Sequence, residues 1–286
     1  MSAPPATGHD DAADHPHLPH GSVWPFWLAM AIAFLGIGLV LFGQSLKAPD
    51  PSVFLGALST PAALVVLGLG VLALVGTLIG WFVEDYKWWP TNTGTGTHIP
   101  KAGALLFISS ELFLFGALFA NYFTFQHLSK VTGLGWPDAD IHLPLVNTAI
   151  FSLFLFASSG TLHKSEKLLK AGDHKGFVRW WWITILLGLI FLGGQVMEYA
   201  TLIHEGHTLG SSQYITAFYI LTGTHGLHVL GGLCLLAVMG VRASKGQFTA
   251  TRHAGPQVAG MYWHFVDIIW VIVLVVIYIL PALGFA

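Results

Sequence analysis

Long apolar runs alternate with short polar ones along the chain. Seven stretches reach the roughly 20 apolar residues that a helix needs to cross a hydrocarbon core. They are Val23 to Gly43, Pro61 to Val83, Ala102 to Phe125, Leu143 to Leu162, Val178 to Ile203, Tyr214 to Val241 and Val258 to Gly284. Connectors rich in Pro, Gly, Asp and Lys separate them. Aromatic residues gather at the ends of the runs, as in Trp24-Pro25-Phe26-Trp27, Trp88-Trp89 and Trp180-Trp181-Trp182. Such rings suit the level of the lipid head groups. No run alternates with period two, which argues against a barrel. No internal repeat is evident, which argues against an inverted-repeat transporter. The first 22 residues carry Pro, Asp and four histidines (His9, His15, His17, His20) without apolar periodicity. They are expected to be a disordered cytoplasmic tail, with loose metal binding as the alternative. The pattern predicts an all-α polytopic membrane protein, with tail 1–22 followed by one transmembrane domain over 23–286.

Composition strengthens this reading. Only 9% of the 286 residues are Asp, Glu, Lys or Arg, against 54% apolar, and mean hydropathy is +0.68. Soluble domains carry about 25% charged residues, so this chain has too little charge to coat a globule in water. A net charge of −2 gives no sign of a nucleic-acid partner, and none is expected. The lone Cys234 can form neither an internal disulfide nor a thiolate cluster. The tail lacks the apolar core of a cleavable signal peptide.

Charge also sets an orientation. With seven crossings, ten of the twelve basic residues fall on the side of the N-terminal tail: Lys87, Lys101, Lys164, Lys167, Lys170, Lys175, Arg179, Arg242, Lys245 and Arg252. Lys47 and Lys130 fall on the other side. Basic residues accumulate on the cytoplasmic face, so the N-terminus is expected inside and the C-terminus outside.

Three acids and three histidines lie within the runs: Glu111, Glu198, Asp267, His225, His228 and His264. Such groups cost several kcal/mol at membrane depth and face protein partners. Glu111, ten residues beyond Lys101, sits about 15 Å along a helix from it. It reads either as a proton-exchanging carboxyl or as an acid that hydrogen-bonds between helices. We expect it to be buried and to pair with His225 or His228. Those two histidines are three residues apart and share one helix face, as do His264 and Asp267. A metal centre needs three or four ligands with supporting groups, so interhelical hydrogen bonding is the expected role and no metal is assigned. Glu198, with Gln195 and Tyr199 beside it, reads as a polar knot near the outer end of the fifth run. Glycines at 68, 70, 76, 80, 188, 193, 194, 226, 231 and 232 mark faces where helices can approach closely.

Together these motifs resemble subunit III of the haem–copper terminal oxidases, the cytochrome c oxidase family. The resemblance runs from Trp24-Pro25 to Tyr278. It rests on Ser110-Glu111 with its Phe-rich continuation, Asn147-Thr148, Ser158-Ser159-Gly160-Thr161 and Gln195-Val196-Met197-Glu198-Tyr199. The most specific motifs are Gly223-Thr224-His225-Gly226-Leu227-His228-Val229 and Tyr262-Trp263-His264-Phe265-Val266-Asp267-Ile268-Ile269-Trp270. The resemblance implies seven helices, with the first two apart from the other five and lipid filling the cleft. It implies no haem or copper on this chain; those belong to the catalytic subunit I and to subunit II. It further implies a supporting role: sustaining proton uptake, protecting the catalytic subunit during turnover and aiding oxygen entry, within a complex that reduces oxygen to water and pumps protons. The setting would be the bacterial inner membrane. One departure is visible. Many members have Trp-Arg-Asp after the second helix, where this chain reads Trp81-Phe82-Val83-Glu84-Asp85-Tyr86-Lys87. Lys87 lacks the bidentate geometry of Arg toward a lipid phosphate. The family's His-rich connector before the third helix is reduced to Thr97-His98. Trp81, Lys87 and His98 are the lipid head-group candidates. The alternatives are a stand-alone proton or solute transporter and the accessory subunit of a nitric oxide reductase.

Overall fold

The computed structural model describes residues 23–45, 60–88, 98–133, 135–137, 141 and 143–284. The tail and its histidines lie outside the described residues. The described residues are mostly helical and contain no strand. Each apolar run forms the body of a helix. The chain divides into two compact units, residues 1–94 and residues 95–286.

The first unit pairs α1 (Trp24–Ser45) with α2 (Thr60–Trp88). Two glycines set how closely these helices pack. A Cβ at Gly38 would lie 2.8 Å from the Leu67 Cα, and one at Gly70 would lie 2.8 Å from the Leu35 Cα. Each glycine thus receives the backbone of the facing helix, the small-residue contact that brings helices together in lipid. Gly80 is covered by the Trp24 ring, whereas Gly68 and Gly76 face open space.

The second unit holds α3 (His98–Thr132), α4 (Leu145–Lys170), α5 (His174–His204), α6 (Gln213–Ser244) and α7, a continuous helix over Ala254–Ala282. Within α7, Leu274–Ile279 winds as a π-helix. Helix α7 contacts α3, α4 and α6, and α5 lies between α4 and α6. Among the described residues α2 to α7 are long and apolar enough to cross a membrane. Helix α1 offers only the shorter apolar stretch Phe26–Gly38, because its side chains from 39 onward are outside the described residues.

Several helices outrun the apolar runs that mark them. Helix α4 continues to Lys170, eight residues beyond Leu162, through His163, Lys164, Glu166 and Lys167. These polar residues are compatible with helix outside lipid, so apolarity locates the crossing and understates the helix. Glu166, read as part of a connector, is therefore helical, and its carboxylate lies over Gly260 of α7. A three-residue turn then reverses the chain. Gly172 takes φ +82° there, and Asp173 caps α5 by accepting from the Gly176 N–H at 2.9 Å. Ser212 caps α6 in the same way, accepting from Ile215 N–H at 3.1 Å.

Buried indoles fix α7 against its neighbours. Trp263 Nε1 donates to Ser158 Oγ at 2.9 Å, and Trp270 Nε1 donates to Ser152 Oγ at 2.8 Å. Seven residues separate the donors and six the acceptors, so the two bonds hold α7 in one register on α4. Gly188 and Gly232 leave the space that the Trp263 ring occupies. The π-helical turn has its own partners: Tyr122 and Tyr214 donate to the carbonyls of Val276 and Ile277 at 3.3 and 2.9 Å.

Candidate functional site

The ionisable groups of the second unit fall into three clusters. The first joins α3 to α6. Glu111 Oε2 lies 2.8 Å from His228 Nε2. The opposite ring nitrogen, Nδ1, lies 2.8 Å from the Thr224 carbonyl. A carbonyl only accepts, so Nδ1 carries a hydrogen and donates it. The Nε2–Oε2 contact then shares a single proton. A carboxylic acid donating to imidazole and an imidazolium donating to carboxylate both leave the pair with zero net charge. That arrangement suits a low-dielectric setting, where an isolated charge is costly. Phe115 packs edge-on against the His228 ring, with centroids 5.0 Å apart. The pair is not sealed: the Glu111 side chain is 18% exposed and that of His228 15%. His228 lies fifteen residues from the start of α6, about 23 Å along it, near the middle of the helix.

His225 does not join this pair. Positions i and i+3 on a helix diverge by about 60°, and the difference decides their environments. His225 is 0% exposed. It stacks on Trp270 (centroids 4.9 Å, planes 27° apart) and meets Phe191 edge-on. Neither of its ring nitrogens has a hydrogen-bond partner.

The second cluster joins α4 to α7 around Ser159. Its hydroxyl lies 3.2 Å from His264 Nδ1 and within electrostatic reach of Asp267. Asp267 Oδ1 is buried without a partner. The sequence pairs His264 with Asp267 on α7; the structure adds the serine that both address.

The third cluster surrounds Glu198. Thr148 of α4 donates to Oε1 at 3.2 Å, and Tyr278 of α7 donates to Oε2 at 3.1 Å. Gln195 and Tyr199, its neighbours in sequence, do not supply these bonds. Tyr199 instead shares a 2.7 Å hydrogen bond with Thr222. Thr148 and Tyr278 lie 50 and 80 residues from Glu198 in sequence, and no local spacing announces them. The available signal was the ladder of small hydroxyl residues on α4 (Thr148, Ser152, Ser158, Ser165), all buried.

Among the described residues no group of three or more His, Cys, Asp or Glu is placed to hold a metal ion. Of the lipid head-group candidates, Trp81 is half-buried, while the side chains of Lys87 and His98 lie outside the described residues.

Comparison with known proteins fits these motifs. The family model described as cytochrome c oxidase subunit III matches residues 15–282. A cytochrome c oxidase subunit 3 of Thermostichus vulcanus is 39% identical over 179 residues, covering 62% of this chain and 86% of that protein. One from Corynebacterium diphtheriae is 39% identical over 184 residues, covering 63% and 88%. One from Synechocystis is 36% identical over 180 residues, covering 62% and 74%. The chain belongs to the cytochrome c oxidase subunit III family.

Proposed function

We propose that this chain is the cofactor-free accessory subunit of a bacterial proton-pumping terminal oxidase. It packs beside a catalytic haem–copper subunit I and a subunit II, carries no redox centre of its own and supports proton uptake by the catalytic subunit. The observation that carries this reading, given the family, is the Glu111–His228 pair at 2.8 Å. The pair is neutral in either proton position and partly open, so it can take up or release a proton by changing its net charge by one. An accessory subunit that buffers protons needs such a group. In this reading α1 is also a crossing: its 22 residues span about 33 Å, enough for a core of roughly 30 Å. The chain then lies in the inner membrane with its N-terminus in the cytoplasm and its C-terminus outside. Phospholipid is the proposed ligand at Trp81, near the charged end of α2.

The test uses the intact oxidase purified with this chain. Glu111→Gln preserves size and hydrogen bonding but removes the exchangeable acid. It is expected to leave the haem spectrum unchanged while shortening the enzyme's catalytic lifetime and slowing proton uptake several-fold. Lifetime and uptake equal to the unaltered complex would overturn the proton role. Haem or copper bound stoichiometrically to the isolated chain would overturn the accessory one.

A further inference from the structure

A cavity of about 100 Å³ opens beside Glu198, between α4, α5 and α7. Its lining includes Asn147, Thr148, Gln195, Glu198, Thr201 and Trp270. A single water needs about 10–15 Å³ of such space, so the cavity takes a small polar group of several atoms. Two features show that its walls are incompletely satisfied. Glu198 is 8% exposed, and its partners among the described residues are two hydroxyls, each spending one oxygen. Neither hydroxyl brings a positive charge. Gln195 is 5% exposed, and its amide nitrogen makes no hydrogen bond of good geometry, with only a weak approach to the Tyr199 hydroxyl. The hydroxyl of nearby Tyr199 is engaged with Thr222. A buried amide donor left unmade costs about 1–3 kcal/mol. A ligand suited to this lining donates to a carboxyl and accepts from an amide.

Depth narrows the guest further. Thr148 is three residues from the start of α4, Glu198 six from the end of α5 and Tyr278 four from the end of α7. At 1.5 Å per residue the site lies roughly 4–9 Å inside one set of helix ends. Helix α5, with 31 residues, runs about 46 Å, so its ends reach the head-group layers that flank a core of about 30 Å. The outer faces around the site are apolar: Val146, Ile150, Val196 and Met197 are exposed. Aromatic rings of Trp270 and Phe191 complete the inner wall, and such rings favour a cation.

We infer that this cavity is a head-group site for a phospholipid bearing a primary ammonium. The ammonium donates to Glu198 against the aromatic wall. The adjoining phosphate accepts from Gln195, with the Asn147 amide at hand, and the acyl chains lie along the apolar faces outside. This inference needs only the second unit and stands whether or not Glu111 serves proton uptake.

The experiment is native mass spectrometry of the intact complex, delipidated and then exposed to phosphatidylethanolamine, to phosphatidylglycerol or to free ethanolamine. We expect phosphatidylethanolamine retention at least tenfold above phosphatidylglycerol, with free ethanolamine competing only weakly. Glu198→Gln is expected to reduce retention about tenfold. Asn147→Leu, which obstructs the cavity and leaves the Glu198 hydrogen bonds in place, should do the same and decides the matter if Glu198→Gln does not assemble. Glu111→Gln should leave retention unchanged. Equal retention of the two lipids, or retention indifferent to Asn147→Leu, would overturn the site. Displacement of the lipid by stoichiometric free ethanolamine would overturn the phospholipid part and leave a soluble-amine site.

Discussion

The two histidines of α6 show how much one helical step decides. His228 turns to α3 and finds Glu111; His225 turns to α7 and finds only aromatic rings. Their roles should separate under substitution. Glu111→Ala leaves His228 Nε2 without a partner and is expected to cost about 1–3 kcal/mol. Glu111→Gln keeps a donor toward Nε2 and should cost less. Thermal unfolding of the purified complex measures both, and equal losses would contradict an accepting Nε2. His225→Phe removes two ring nitrogens that have no partner and keeps a ring on Trp270. It should leave stability unchanged or raise it slightly; a loss of several kcal/mol would show that His225 makes a polar contact essential to the fold. Glu111 and the histidines were legible because a charge inside an apolar run stands out. Which histidine met the acid was not, since both lie on nearly the same face and the choice depends on where α3 packs. The Glu198 partners were illegible for a related reason: threonine and tyrosine are ordinary in a membrane helix until a carboxyl is placed opposite.

Helices are the scale at which the sequence speaks most clearly and packing least. Twenty apolar residues dictate a helix in lipid because every backbone group must be bonded internally. Nothing in that rule says which side faces which neighbour. The glycines illustrate the gap. Gly188 and Gly193 are five residues apart on α5, yet a Cβ at Gly188 would meet Leu233 and Trp263 at 2.8 Å, whereas one at Gly193 meets nothing within 4 Å. Gly188→Ala should therefore destabilise the complex by about 1–3 kcal/mol through overpacking, and Gly193→Ala should be neutral. The tryptophan–serine bonds allow a finer test. A double-mutant cycle of Trp270→Phe with Ser152→Ala is expected to give a coupling of about 0.6 kcal/mol, the usual size for hydrogen bonds between membrane helices. Zero coupling would mean that the 2.8 Å contact does not set the register of α7 on α4. The π-helical segment was also beyond sequence reading: its carbonyls at Val276 and Ile277 are met by tyrosines from α3 and α6, and apolar periodicity carries no trace of that.

The whole molecule turns its apolar surface outward unevenly. Only 6% of the apolar window of α3 is buried within the chain, against 44% for α6. Helix α3 therefore needs lipid or a partner along most of its circumference, while nearly half of the α6 window is enclosed by its neighbours. The distribution of charge adds direction. Lys167 and Lys170 close α4 and Arg242 closes α6, whereas Lys130 closes α3. Alternating helices therefore end at faces of unlike basicity, as the ten-to-two division of basic residues requires. That division is the same whether or not α1 crosses, because the tail carries no Lys or Arg; the α1 crossing decides only whether the tail shares the basic face. Impermeant maleimide labelling of single cysteines in a Cys234→Ser background tests the arrangement. Thr208→Cys and Lys47→Cys should label on intact spheroplasts, whereas Ala3→Cys, Lys175→Cys and Ala250→Cys should label only after lysis. If Ala3→Cys labelled from outside while Lys175→Cys stayed protected, α1 would not cross and the chain would have six spans. If Lys175→Cys and Ala250→Cys labelled from outside, the basic face would be external and the charge argument would fail. The expected pattern puts the open side of the Glu198 cavity at the outer leaflet, because Glu198 lies on the Thr208 side of α5.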